Sequence, residues 1–184
     1  MKKLLLAISV CIYGFCFSQG GTFYIYNQSP YGVIYDLAST SSTVGNCYPS
    51  ISGTNYTSPD PGSVVASLLM PNSEVAYPNY KDSFLMTPPI KSWQGYTGDP
   101  TIDPQILNLP PGANSSLFDY YMTTTNWRMC KFDLRDPDTG KLYGGYSIGE
   151  SCYGDIISYV TDTGAYPMQA TFFKINNDAY LIIE

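Results

Sequence analysis

Apolar side chains recur at every second position in much of this chain, and almost nowhere at the three-and-four spacing of a helix. Successive side chains of a strand point to opposite faces, so this alternation marks half-buried strands. The clearest case is residues 129–135, where Cys130, Phe132 and Leu134 share one face and Lys131, Asp133 and Arg135 the other. Asp136-Pro137-Asp138-Thr139-Gly140 follows. Proline presets φ and glycine accepts a positive φ, so a tight turn is expected there, with 141–148 as the partner strand. Residues 22–27 and 31–38 read as a second strand pair around Asn27-Gln28-Ser29-Pro30. Residues 156–160, 169–175 and 179–183 complete the set, the last two joined by a turn at 176–178. Short strands linked by hairpin chemistry predict an all-β fold, an antiparallel sandwich or else a small barrel.

The middle of the chain is different. Residues 58–111 hold ten of the fourteen prolines, which remove ladder donors and interrupt long strands. Segments 64–70 and 74–77 are expected as short strands, and the rest as long ordered loops. Leu85, Met86, Ile90, Trp93, Ile102, Ile106 and Leu107 make this stretch too apolar for a linker, so residues 20–184 read as one domain.

Residues 1–19 read as a secretory signal peptide. Lys2 and Lys3 form a positive start, an apolar run extends from Leu4 to Phe17, and Ser18-Gln19-Gly20-Gly21 offers small and polar residues for cleavage. The run is shorter than the roughly 20 residues a membrane helix needs, and no later stretch replaces it. Cys11 and Cys16 follow Val10 and Phe15 rather than a small residue, which argues for release rather than lipid anchoring. The Lys-Lys start and Ser-Gln cut resemble export signals of Gram-negative bacteria of the Bacteroidetes type. A secreted or periplasmic location is therefore expected. Loss of Lys2 and Lys3 takes the formal charge from −6 to −8. So acidic a chain, without a basic cluster, is a poor match for nucleic acid or an anionic membrane.

Three cysteines remain beyond the leader. Cys47 and Cys152 sit in polar, glycine-containing loops, while Cys130 lies on the apolar face of a strand. An oxidising compartment then favours a Cys47–Cys152 disulfide, with Cys130–Cys152 as the alternative pairing. There is no Cys-x-x-Cys, and the chain has no histidine, so a zinc set cannot be assembled in the usual way.

The missing histidine also limits catalysis. Gly145-Tyr146-Ser147-Ile148-Gly149 matches the nucleophile-elbow pattern, but no histidine base exists to activate Ser147. What survives is two-carboxylate chemistry of the glycosidase kind, for which Asp99 and Asp103 are the candidate acids. Asp133, Asp136 and Asp138 could supply oxygen ligands to calcium, although their spacing is not that of an EF-hand and a plain turn is the preferred reading. No other cofactor is implied.

Eighteen tyrosines are the most unusual feature of the composition. Sheet packing accounts for many of them. Tyr77, Tyr80, Trp93 and Tyr96, with Asp99 nearby, fall in the proline-rich segment, where packing of the loops against the sandwich is the first reading. As the alternative they form the candidate ligand-binding set, since aromatic faces with a few polar groups suit glycan or protein contacts. The sequence thus predicts a secreted, non-enzymatic binding or structural protein contacting glycan or protein at a cell surface. A histidine-free carbohydrate-active enzyme and a β-rich effector or pore-forming protein are the alternatives.

Overall fold

The computed structural model describes residues 21–43, 45–57, 61–98, 106–112 and 116–184. The predicted leader, Asp99 and Asp103 lie outside the described residues.

Two sheets pack face to face. The smaller has five strands in the order β10 (Tyr159–Asp162), β11 (Met168–Ile175), β12 (Asp178–Ile183), β1 (Phe23–Asn27) and β4 (Ser73–Tyr77). The larger has seven, in the order β6 (Leu107–Leu109), β5 (Ser92–Tyr96), β3 (Ser50–Thr54), β2 (Gly32–Ser41), β7 (Thr125–Arg135), β8 (Leu142–Glu150) and β9 (Ile156–Ile157). Neither sheet closes on itself, so the fold is a sandwich and not a barrel.

The alternation sets the layers. Phe23 and Ile25 of β1 and Leu181 and Ile183 of β12 point inward, where they meet Tyr35 and Leu37 of β2 and Cys130, Phe132 and Leu134 of β7. The β7–β8 pair forms across the expected turn, in which Gly140 has φ 70°. The β11–β12 pair turns at Asn176, which has φ 56°, a left-handed conformation asparagine tolerates.

Three expectations are corrected. The segments around 22–27 and 31–38 do not pair. β1 lies between β12 and β4, and β2 between β3 and β7. The connection crosses between sheets because buried Asn27 holds it in place. Its amide donates to the carbonyls of Tyr31, Leu69 and Met70, and its carbonyl accepts from Ser29. The sheet containing β1 is also mixed, since β1 runs parallel to β12. Residues 64–70 are not a strand. Pro61–Val65 forms the helix α1, whose Val64, with Leu68 beyond it, covers Ile34 on the outer face of the larger sheet.

The central segment is more ordered than its prolines suggest. It contributes β4, β5, β6 and, just after it, the helix α2 (Ser116–Thr124). Glycines make room for its aromatics: Trp93 lies over Gly53, where a Cβ would come within 2.5 Å of the ring, and Tyr121 lies over Gly95 at 2.4 Å. A disulfide joins Cys47 to Cys152, tying the loop after β2 to the loop after β8, and Cys130 is a free, buried thiol. Among the described residues, no helix is long and apolar enough to cross a membrane.

Candidate binding face

The loop aromatics singled out from the sequence are mostly interior. Tyr77, Tyr80 and Trp93 are 0%, 3% and 1% exposed, and only Tyr96 keeps partial access. Trp93 is not in a loop but in β5, with its ring turned into the core. It packs against Tyr80, Phe118 and Trp127 at centroid separations of 5.2, 6.3 and 6.2 Å. Their polar atoms are satisfied inside: the Trp93 indole donates to Ser83 Oγ, the Trp127 indole to the Gly21 carbonyl, and Tyr80 bonds to Thr125. Tyr35 and Tyr77 share a 2.5 Å hydroxyl contact, and Tyr77 donates onward to Pro88. Burial pushes the Tyr35 and Tyr77 phenols well up and that of Tyr80 up to about 12. With no face free, Tyr77, Tyr80 and Trp93 build the core and leave no surface for a ligand to stack on.

Two of the three candidate calcium ligands, Asp133 and Asp136, have other partners. The Asp133 carboxylate pairs with Arg135 at 2.7 Å. Asp136 accepts from the backbone of Asp138 and Thr139, from the Thr139 hydroxyl and from the Tyr143 phenol. These bonds, led by that from Tyr143, lower its pKa to about 2. The turn thus engages both carboxylate oxygens of Asp136. No cluster of three or more metal-ligating side chains occurs among the described residues.

Aromatics that are exposed, as Phe173 and Tyr159 are, or half-buried, as Tyr24, Tyr26 and Tyr180 are, gather instead on the outer face of the five-stranded sheet. Pairing places Phe173 beside Tyr180, Tyr180 beside Tyr24 and Tyr24 beside Ala76 across four strands. The three rings stack in a column, Phe173 on Tyr180 at 5.0 Å and 3° and Tyr180 on Tyr24 at 4.8 Å and 8°. These separations match the roughly 4.8 Å spacing of neighbouring strands, so the rings stand upright with faces turned across the sheet. Tyr26 continues the Tyr24 plane along β1, 6.5 Å away and tilted by 10°. Tyr159, 52% exposed on β10, extends the face and donates to Gln169. The hydroxyls of Tyr24, Tyr26 and Tyr180 have no hydrogen-bond partner among the described residues. The column crowds Tyr180, and burial followed by the charge of Asp178 raises its phenol.

Nothing in the tyrosine count separated these rings from the buried ones. The available signal was register: Phe173, Tyr180 and Tyr24 all fall on the face opposite the apolar alternation of their strands, a placement that becomes one column only once β1 is known to lie beside β12.

A second cleft lies on the outer face of the larger sheet, about 40 Å³ in volume and lined by Asp36, Tyr56, Lys131 and Asp133 among others. Asp36 Oδ1 is buried without a hydrogen-bond partner. Burial, opposed by Lys131 and reinforced by Asp133, raises its pKa.

The fold and this face together define a two-sheet all-β protein with an aromatic column on an uncovered sheet surface. Comparison of the chain with protein-family models, with curated proteins and with solved structures finds no match.

Proposed function

We propose that this is a secreted or periplasmic, non-enzymatic binding module that engages its partner, a glycan or a protein, through the outer face of the five-stranded sheet. The observation that carries this reading is the Phe173–Tyr180–Tyr24 column, continued by Tyr26, on a face that no described element covers. Partly accessible aromatics on adjacent strands, three of them with unpartnered hydroxyls, offer apolar area and polar tips together, the combination recognition surfaces use. The leader-like residues 1–19 and the Cys47–Cys152 bond both suit a compartment outside the reducing cytoplasm.

The test is a combined glycan and peptide array probed with the wild type and with Tyr180→Ala. Ligands bound by the wild type and lost by the variant are the expected result. A wild type that binds nothing, or a variant that keeps every ligand, refutes the reading.

The enzymatic alternative has one observation in its favour, the desolvated Asp36 carboxylate near Asp133. A cleft of about 40 Å³ admits a water molecule but no sugar ring, and Asp133 is tied to Arg135. Glycoside hydrolysis that disappears in Asp36→Asn would favour that alternative.

A further inference from the structure

The two faces of Tyr24 differ. Tyr180 covers one, whereas the position beside the other is Ala76, whose methyl is too short to cover a ring. Tyr26 stands likewise between Ile182 and Glu74. The parallel rings of Tyr24 and Tyr26 therefore form an aromatic wall facing β4. Along it runs a groove of about 180 Å³ lined by Tyr24, Tyr26, Glu74, Val75 and Ala76. A second hollow of about 260 Å³ adjoins it, sharing Tyr26 and Glu74.

Charge gives the groove its polarity. Glu74 is exposed and has no hydrogen bond or ion pair among the described residues. The other outward positions of β1, β4, β11 and β12 named above carry no lysine or arginine, and Lys174 of β11 points instead to Glu150 at 3.5 Å. Two ring faces beside one unpaired carboxylate suit a cation, which gains both from the ring quadrupole and from the opposite charge. β4 is in addition the last strand of its sheet, and no described strand other than β1 bonds to it. An open edge offers backbone donors and acceptors to an extended segment.

Building on the binding face described above, we propose that this groove takes a lysine side chain from an extended basic segment of a protein partner. The segment lies along the open edge of β4. Its lysine reaches over Ala76, sets its ammonium against the Tyr24 and Tyr26 faces and pairs with Glu74.

The test measures binding of a ten-residue peptide of alternating lysine and threonine to the protein by calorimetry. A peptide with glutamate in place of lysine and tetramethylammonium alone are the comparison probes. The lysine peptide is expected to bind, weaken as salt rises, and lose about three- to tenfold in affinity with Glu74→Gln. Glu74→Lys, which places a cation in the groove, is expected to abolish binding. Both substitutions are at an exposed position, and unchanged melting temperatures verify the fold. Equal binding of the glutamate peptide, or no effect of Glu74→Gln, overturns the proposal. So does tetramethylammonium binding as tightly as the peptide, because the β4 edge would then contribute nothing. An array ligand that is lost with Tyr180→Ala but indifferent to Glu74→Gln would sink the lysine groove while leaving the sheet face as the binding surface.

Discussion

The aromatic cluster around Trp93 and the aromatic column on β11, β12 and β1 use the same kinds of residue for opposite ends. Inside, most rings meet at steep angles, Tyr80 on Trp127 at 75° and Phe23 on Trp127 at 80°, and the polar tips of Tyr80, Trp93 and Trp127 find fixed partners. Outside, rings lie within 10° of parallel, and the tips of Tyr24, Tyr26 and Tyr180 point to solvent without partners. An interior ring must solve a packing problem in three dimensions and satisfy its polar atom away from water. A ring on a sheet face has only its cross-strand neighbours to meet, so strand spacing alone orders it. Interior order serves stability, and exterior order leaves an unpaired surface.

Substitutions should separate the two regions. Trp93→Ala empties a fully buried site and removes the indole donor to Ser83 Oγ, so a loss of about 3–5 kcal/mol is expected from urea unfolding. A loss below 1 kcal/mol would mean that the cluster collapses freely and is no structural keystone. Replacing Cys47 and Cys152 together by serine reopens a loop spanning 105 residues, for which about 3–5 kcal/mol is again expected, measured by the same unfolding curves.

Alkali should discriminate by burial. Tyr35, Tyr77 and Tyr80 have phenol pKa values raised by burial, whereas an unfolded tyrosine titrates near 10. Above that value the unfolded chain has released protons that the folded chain retains. Stability is therefore complete below about pH 10 and falls as pH rises toward about 12. Ultraviolet titration should show the absorbance of these phenolates appearing together with unfolding. Their ionisation in a chain still folded by circular dichroism would contradict the assignment of these rings to the core.

The smallest expected effect is on the column. Tyr180→Ala removes two stacking contacts at the surface, so a cost within about 1 kcal/mol is expected in urea, far less than for Trp93→Ala. A larger cost would make the column a structural element of the sheet and would narrow the contrast between the regions.

Much of the architecture was legible in local pattern. The β7–β8 and β11–β12 hairpins follow from alternation plus turn residues, and the Cys47–Cys152 bond from the contrast between polar loops and an apolar strand face. What failed was long-range. Asn27-Gln28-Ser29-Pro30 has the composition of a hairpin turn, yet Asn27 uses its amide to hold carbonyls from residues 69 and 70, distant contacts that no local pattern encodes. Gly-Ser-rich β3 and Gln-containing β5 look weak as strands because Gly53 and Gly95 are there to admit Trp93 and Tyr121. The candidate site moved for the same reason. Prolines near Tyr77, Tyr80 and Trp93 suggested loops whose rings could pack inward or line a binding surface, and the segment folds them inward. The outer column depends on the parallel β1–β12 pairing between the two ends of the domain.

Nitration by tetranitromethane with peptide mass mapping tests the division of the tyrosines most directly. In the free protein Tyr24, Tyr26, Tyr159 and Tyr180 should be modified and Tyr35, Tyr77 and Tyr80 spared, and a ligand found on the array should protect Tyr24, Tyr26 and Tyr180. Equal reactivity of the two groups, or a bound ligand that leaves the outer tyrosines as reactive as before, would contradict the account.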